Sequence, residues 1–275
     1  MRNSVIGRAY LGGAAAAAAG SSFEAETTTL IARFSVAPSS AKQTDMNTLI
    51  KALKDAGVWS KLAGVWVMGS CGTTAADANL NWKGTSYTLN PLNGMVLANT
   101  GYTASATGPK IAKTGIVAAT SDPGGDLPWK DNIAFGTYCR TAGQLSQNCM
   151  GNDTFTGGTR IVLRNASDNC TVQLNDSGSD IMGTAGQVTT ANAAFTIARS
   201  SNLKYATWAQ VDLAPSGVSR TSVAPPAEEL QIGGISGSVA IREYAAGWLG
   251  RYLNATERAA ANAAFTAYMN ARSIA

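Results

Sequence analysis

A chain of 275 residues with 21 Lys and Arg against 17 Asp and Glu has a net charge of only +4, and its charged fraction of 14% lies well below that of ordinary soluble domains. The basic residues are scattered, which leaves no electrostatic footprint for nucleic acid or for an anionic membrane surface. No apolar stretch reaches the ~18 residues of a transmembrane helix, and the absence of histidine excludes Ser-His-Asp triads, Cys-His dyads and His-ligated zinc.

Residues 1–27 stand apart. Arg2, Arg8 and Tyr10 precede Leu11-Gly12-Gly13 and an unbroken run from Ala14 to Ala19. A basic start followed by small apolar residues fits a signal peptide, but an apolar core of Gly and Ala has weak membrane affinity. The reading adopted is an uncleaved Gly/Ala-rich assembly arm, docked on a partner through Arg2, Arg8 and Tyr10. Residues 28–36 are β-branched and aromatic, with Leu30 and Phe34 alternating onto one face, and predict a strand that Pro38 ends. Ser40 and Gln43 have the spacing of a capping box. Met46, Leu49, Ile50 and Leu53 then form one apolar stripe, which predicts an amphipathic helix near 41–56 with Gly57 at its C-terminal cap.

Gly64 to Met68 reads as a short buried strand. From there to about residue 247, short β-rich runs alternate with turn signals such as Asn93-Gly94, Asp122-Pro123-Gly124-Gly125, Gly157-Gly158 and Gly233-Gly234. The clearest strands are 133–138, 159–163, 194–198, 206–211 and 238–244. Asn254 and Glu257 form a second capping-box pair, opening an alanine-rich helix near 255–272 whose apolar face is Leu253, Ala260, Ala264, Phe265, Tyr268 and Met269. The fold class is therefore all-β dominated, a sandwich or barrel over 28–275, with one helix near each end.

Two segments carry a resemblance. Leu230-Gln231-Ile232-Gly233-Gly234, a strand through Val239 and Ile241, and Leu253-Asn254-Ala255-Thr256-Glu257-Arg258 resemble the end of concanavalin A-like (laminin-G-like) sandwiches. Ile31-Ala32-Arg33-Phe34, Ala37-Pro38, Asp55-Ala56-Gly57-Val58-Trp59-Ser60-Lys61-Leu62, Asn79-Leu80-Asn81-Trp82-Lys83 and Thr100-Gly101-Tyr102-Thr103 resemble phage and prophage virion proteins, tail- or fibre-associated, with Ala104 where that family usually has Gly. The resemblance covers 28–275 and not the arm. It implies a concanavalin A-like jelly-roll β-sandwich located in a tailed-phage virion assembled in the host cytoplasm. The function expected is structural, as a collar, neck, decoration or tail-fibre component. The partners expected are further copies of the chain, as a trimer or ring, and other virion proteins reached through the arm.

The residues that bear chemistry are few. Cys71, Cys139, Cys149 and Cys170 form no C-x-x-C pair. Cys139 with Cys149 is the favoured intrachain disulfide, while buried thiols and bridges between subunits remain open. The glutamates are confined to positions 24, 26, 228, 229, 243 and 257, and none has the spacing of a glycosidase pair on one strand face. Asp122, Asp126 and Asp131 share a loop with no calcium-loop spacing. No enzyme activity, cofactor or metal is expected. Of the six tryptophans, Trp59 and Trp66 read as core, and Trp129 and Trp208 as exposed residues able to stack on a sugar. They support the alternative function, a lectin-like module recognising host-surface glycan. The sequons at Asn152, Asn165, Asn169, Asn175 and Asn254 are coincidences of an Asn- and Thr-rich chain if it belongs to a phage.

Overall fold

Helices from the two ends of the chain pack on each other and cover one face of a β-sandwich. A computed structural model gives the placement of residues 22–69, 74–92, 95–103, 112–117, 119–120, 129–140, 149–152, 158–188, 193–234 and 243–274. The arm residues Arg2, Arg8 and Tyr10, together with Cys71, Asp122 and Asp126, lie outside the described residues.

The strand expected at 28–36 is replaced by helix α1 (Ala25–Ile31) and a turn. Local β-propensity loses here to tertiary contacts. Thr27 and Leu30, three residues apart, are buried on one side. The Asn47 side-chain carbonyl accepts from the Glu24 amide at 2.7 Å and from the Thr27 hydroxyl at 3.0 Å, and the Lys54 ammonium bridges Glu24 and Glu26 at 2.5 and 2.8 Å. The folded body thus reaches back into the segment expected to be arm, because Thr27 is fully buried.

Helix α2 (Ser40–Asp55) buries the predicted stripe of Met46, Leu49, Ile50 and Leu53. Its cap is Ser39 rather than Ser40. The Ser39 hydroxyl accepts from the Lys42 amide, and the Gln43 amide group donates to the Pro38 carbonyl instead of closing a box. At the other end Gly57 has φ +71°, its N–H bonds to Lys54, and the Val58 N–H bonds to Leu53. That double closure is a Schellman cap, and its left-handed residue suits glycine. A single turn, α3 (Ala75–Ala78), is capped by the Thr74 hydroxyl and held to residue 35 through Asp77. Helix α4 (Ala255–Ala271) has the predicted Asn254–Glu257 capping box, with both reciprocal hydrogen bonds present.

Numbered in chain order, the first sheet runs β13 (Val211–Asp212), β12 (Leu203–Trp208), β11 (Ala193–Ser200), β6 (Asn132–Cys139), β16 (Glu243–Gly250), β4 (Gly101–Thr103), β3 (Val96–Ala98). Strand β1 (Leu62–Val67) also pairs with β16, and β14 (Val218–Ser219) with β12. The second sheet runs β10 (Asp180–Met182), β9 (Cys170–Leu174), β8 (Thr159–Val162), β7 (Met150–Gly151), β15 (Glu229–Ile232), β5 (Ala112–Val117), β2 (Asn90–Pro91). Every strand pairing among the described residues is antiparallel, for example Ile197 opposite Phe135 and Trp248 opposite Gly136.

The first sheet is covered on both faces. On one side Trp248 stacks on Phe265 of α4, with ring centroids 4.0 Å apart and planes 7° apart, and Thr196 hydrogen-bonds Asn262 at 2.6 Å. On the other side Gly247 stands against Ile232 and Met150 of the second sheet. Three layers result, and they explain why β6, β11 and β16 are buried almost continuously instead of alternating. The architecture is the expected concanavalin A-like jelly-roll β-sandwich, with both helices on its outer face.

The strands predicted at 133–138, 159–163 and 194–198 fall on β6, β8 and β11. The run 206–211 is not one strand. Strand β12 stops at Trp208, the chain reverses through Ala209 at φ +51°, and Val211 pairs back opposite Trp208. The strand placed at 238–244 is displaced, since β16 begins at Glu243 and continues to Gly250. Cys139 ends a strand of the first sheet and Cys149 precedes one of the second, and both are buried, as is Cys170.

Candidate functional site

A cleft opens where α1 faces the turn after α3. Its near wall is Ala25, Glu26, Thr29, Leu30 and Arg33, and its far wall is the run Trp82 to Thr85. Its volume is about 290 Å³, at the lower edge of the range of small-ligand sites.

One buried amide builds the far wall. The Asn81 side-chain oxygen accepts from the Val65 and Lys83 amides, both at 3.0 Å, and its nitrogen donates to the carbonyls of Ala63 and Ser86. The Trp82 N–H also bonds to the Val65 carbonyl at 2.7 Å. A turn that would otherwise move is thus fixed to a core strand. Trp82 is 2% exposed, sits edge-on to Tyr268 at 5.7 Å, and its indole N–H donates to no described group. The near wall is held by α1 and by Arg33, whose guanidinium donates to the Asn81 carbonyl at 2.8 Å.

The electrostatics of the cleft are asymmetric. Arg33 and Lys83 are half-buried and make no ion pair with a described carboxylate, although Lys83 lies over the Trp59 ring at 4.7 Å. Burial pulls both cations below their ordinary pKa values, against some help to Lys83 from the charge of Glu26. Glu26 is held below the usual carboxylate range, first by its hydrogen bond from Lys54. The walls therefore present two cations without an ion-pair partner among the described residues, one anion already paired to Lys54, two hydroxyls and an indole.

A second charged cluster lies between the sheets and is closed. Arg199 on β11 and Lys204 on β12 are fully buried and both meet the buried Asp176, at 3.2 and 2.5 Å. Lys204 also pairs with Asp180, which takes a two-pronged contact from Arg220 at 2.6 and 2.9 Å. Asp131, the described member of the acidic loop set, faces Arg199 at 3.7 Å. Under α4, the buried Arg258 pairs with Asp212 at 2.7 Å, donates to Thr207 and Leu253, and lies over Tyr205. Among the described residues, no group of three His, Cys, Asp or Glu side chains is arranged to hold a metal ion.

The tryptophans expected to meet sugar do not stand as exposed platforms. Trp129 is fully buried, with its carbonyl accepting from Asn175 at 2.6 Å, so its predicted exposure is corrected. Trp208 is half-buried against the core. Trp59 and Trp66 are core, as expected. In the sequence, Arg33, Trp82 and Lys83 stand out only as part of the resemblance to phage virion proteins. The signal that could have singled them out was a lysine beside a tryptophan in a turn.

No protein-family model matches the chain, and no curated protein matches it. Among solved structures it is similar to Trypanosoma rangeli sialidase. One such structure, in complex with 2,3-difluorosialic acid, has a TM-score of 0.52 at 12% identity, covering 79% of this chain and 38% of the sialidase. Another sialidase structure has a TM-score of 0.50 at 13% identity over the same shares. The binding domain of botulinum neurotoxin serotype D has a TM-score of 0.43 at 10% identity, covering 73% of this chain and 51% of that one. This chain spans little more than a third of the sialidase it resembles, and what the two share is a β-sandwich fold.

Proposed function

We propose that the chain is a non-catalytic structural protein of a tailed bacteriophage particle, a collar, neck, decoration or fibre component that assembles with further copies of itself. The observation that carries the non-catalytic part is how carboxylates are used. Asp176 and Asp180 meet on the Lys204 ammonium, and Glu24 and Glu26 meet on that of Lys54. Hydrolytic acid–base work on a sugar needs two carboxylates facing an open space across a gap, not two converging on one cation. The virion assignment is supported by the segments around Asp55–Leu62 and Asn79–Lys83, and the low charge suits a surface packed against neighbours.

The test is a particle preparation combined with light scattering on the purified chain. A trimer or ring in solution, and the same stoichiometry in a cryo-electron map of the virion, are expected. Deleting residues 1–21 is expected to abolish incorporation while leaving the sandwich folded. A monomeric chain that is absent from particles overturns the reading.

A second reading, recognition of a host-surface glycan, is favoured by the cleft between α1 and Trp82–Thr85, which has the size and the polar groups of a monosaccharide site.

A further inference from the structure

Taking the glycan reading as its premise, we infer that the α1–Trp82 cleft takes an acidic sugar, a hydroxylated ring bearing a carboxylate of the uronic acid type. Arg33 and Lys83 hold the carboxylate, and Glu26, Thr29 and Thr85 hold ring hydroxyls.

Elsewhere in the described interior, buried cations are matched. Arg199 and Lys204 face Asp176, and Arg258 faces Asp212. Arg33 and Lys83 depart from that pattern, since both lose hydration and neither has a carboxylate within ion-pair distance among the described residues. A half-desolvated cation pair is a standing electrostatic cost that an incoming anion relieves. The chain has few spare anions to do so. Of its carboxylates, only Asp122, Asp126 and Asp153 lie outside the described residues. Residues 1–21 carry Arg2 and Arg8 and no acid, so they would repel the cleft rather than fill it.

Geometry narrows the anion. Guanidinium has five N–H donors in a planar fork, and Arg33 spends one nitrogen on the Asn81 carbonyl, leaving donors for a carboxylate. Lys83 is held in place by its contact with the Trp59 ring and by the bond from its own amide to Asn81. Each wall also carries acceptors, the Glu26 carboxylate and the Thr29 hydroxyl beside Arg33, and the Thr85 hydroxyl beside Lys83. A bare inorganic anion would leave those acceptors unused, and a neutral sugar would leave the cations uncompensated. A hydroxylated ring bearing a carboxylate satisfies the cations and the acceptors together.

The experiment is calorimetric titration of the purified full chain at low ionic strength with glucuronate, glucose and inorganic phosphate. Glucuronate is expected to bind. Arg33→Gln and Lys83→Met are each expected to weaken it about tenfold or more, the size of a lost charge-assisted hydrogen bond. Glu26→Gln is expected to strengthen it, because the amide keeps an acceptor and removes a repelling charge. A damaged fold would weaken binding in all three variants, so the opposite sign at Glu26 separates recognition from misfolding. Glucose binding as well as glucuronate, indifferent to Arg33 and Lys83, overturns the acidic-sugar inference and leaves the glycan reading standing. Phosphate matching glucuronate across all variants overturns the sugar part, since the acceptors would then play no role. No binding by either sugar overturns the inference and the glycan reading together.

Discussion

At the scale of single residues, the outer face of the first sheet turns on Gly136. A methyl group there would lie inside the Trp248 indole, which is itself clamped against Phe265. Neither ring can retreat, so Gly136→Ala is expected to cost about 1–3 kcal/mol through overpacking. Gly84, with open space around its missing side chain, provides the contrast, and Gly84→Ala is expected to fall within about 0.5 kcal/mol of the parent. Urea denaturation of the two variants checks both values, and equal destabilisation would refute the clamp. Lys204 is the corresponding charged position. Its ammonium is fully buried between Asp176 and Asp180, so Lys204→Met leaves an interior with surplus negative charge. The expected loss is about 3–5 kcal/mol, the cost of breaking a buried pair by removing one partner. None of these partnerships was legible in the sequence. Glycine at 136 and lysine at 204 look like ordinary strand residues until the register sets one beneath an indole and the other between the sheets.

Secondary-structure elements divide cleanly into those that local chemistry decides and those that distant contacts decide. Helices α2 and α4 were legible because their stripes, Gly57 and the Asn254–Glu257 pair all act within a few residues. Replacing Asn254 by Ala removes the acceptor of the Glu257 amide and is expected to cost about 1 kcal/mol, read as a shift in the denaturation midpoint without a change in slope. Helix α1 was misread because Thr27, Thr28 and Thr29 favour strand locally. Thr28 and Thr29 turn their hydroxyls back on the carbonyls four residues earlier, and Asn47 of α2 fixes the start of the helix. The same displacement hid the cleft, since Thr29 and Arg33 share a wall only on a helix and its following turn. Asn47→Ala is accordingly expected to loosen α1 selectively. Amide exchange should accelerate at residues 25–31 and stay unchanged in β6, whereas uniform acceleration would show that α1 has no independent attachment.

For the molecule as a whole, acid sensitivity should originate between the sheets. Burial pushes the Asp180 carboxyl up, but hydrogen bonds and charge from Arg220 and Lys204 outweigh it and hold the group below its ordinary value near 3.8. A carboxylate with a lowered folded pKa contributes stability that is fully present above the unfolded value and is lost as pH falls through the folded one. Stability is therefore expected to hold at neutral pH and to decline below about pH 4. Asp180→Asn should be less stable at pH 7 and show a shallower acid limb, and an unchanged limb would place the sensitivity elsewhere. The β-rich class and the helical ends were legible from turn spacing and caps. The third layer was not, because continuous burial of β6, β11 and β16 looks the same in sequence as any apolar run.

The placement of β16 also sets a schedule. It lies between β6 on one side and β1 and β4 on the other, yet β6 ends at residue 139 and β16 begins at residue 243. During synthesis the early strands must therefore wait, with open edges, for a segment made more than a hundred residues later. Until it arrives, the two parts of the first sheet have no strand joining them, and the stack of Trp248 on Phe265 has neither ring. Growth of this sandwich is a late, single closure rather than a progressive zipping, and chains halted before β16 present unpaired edges to one another in the crowded cell.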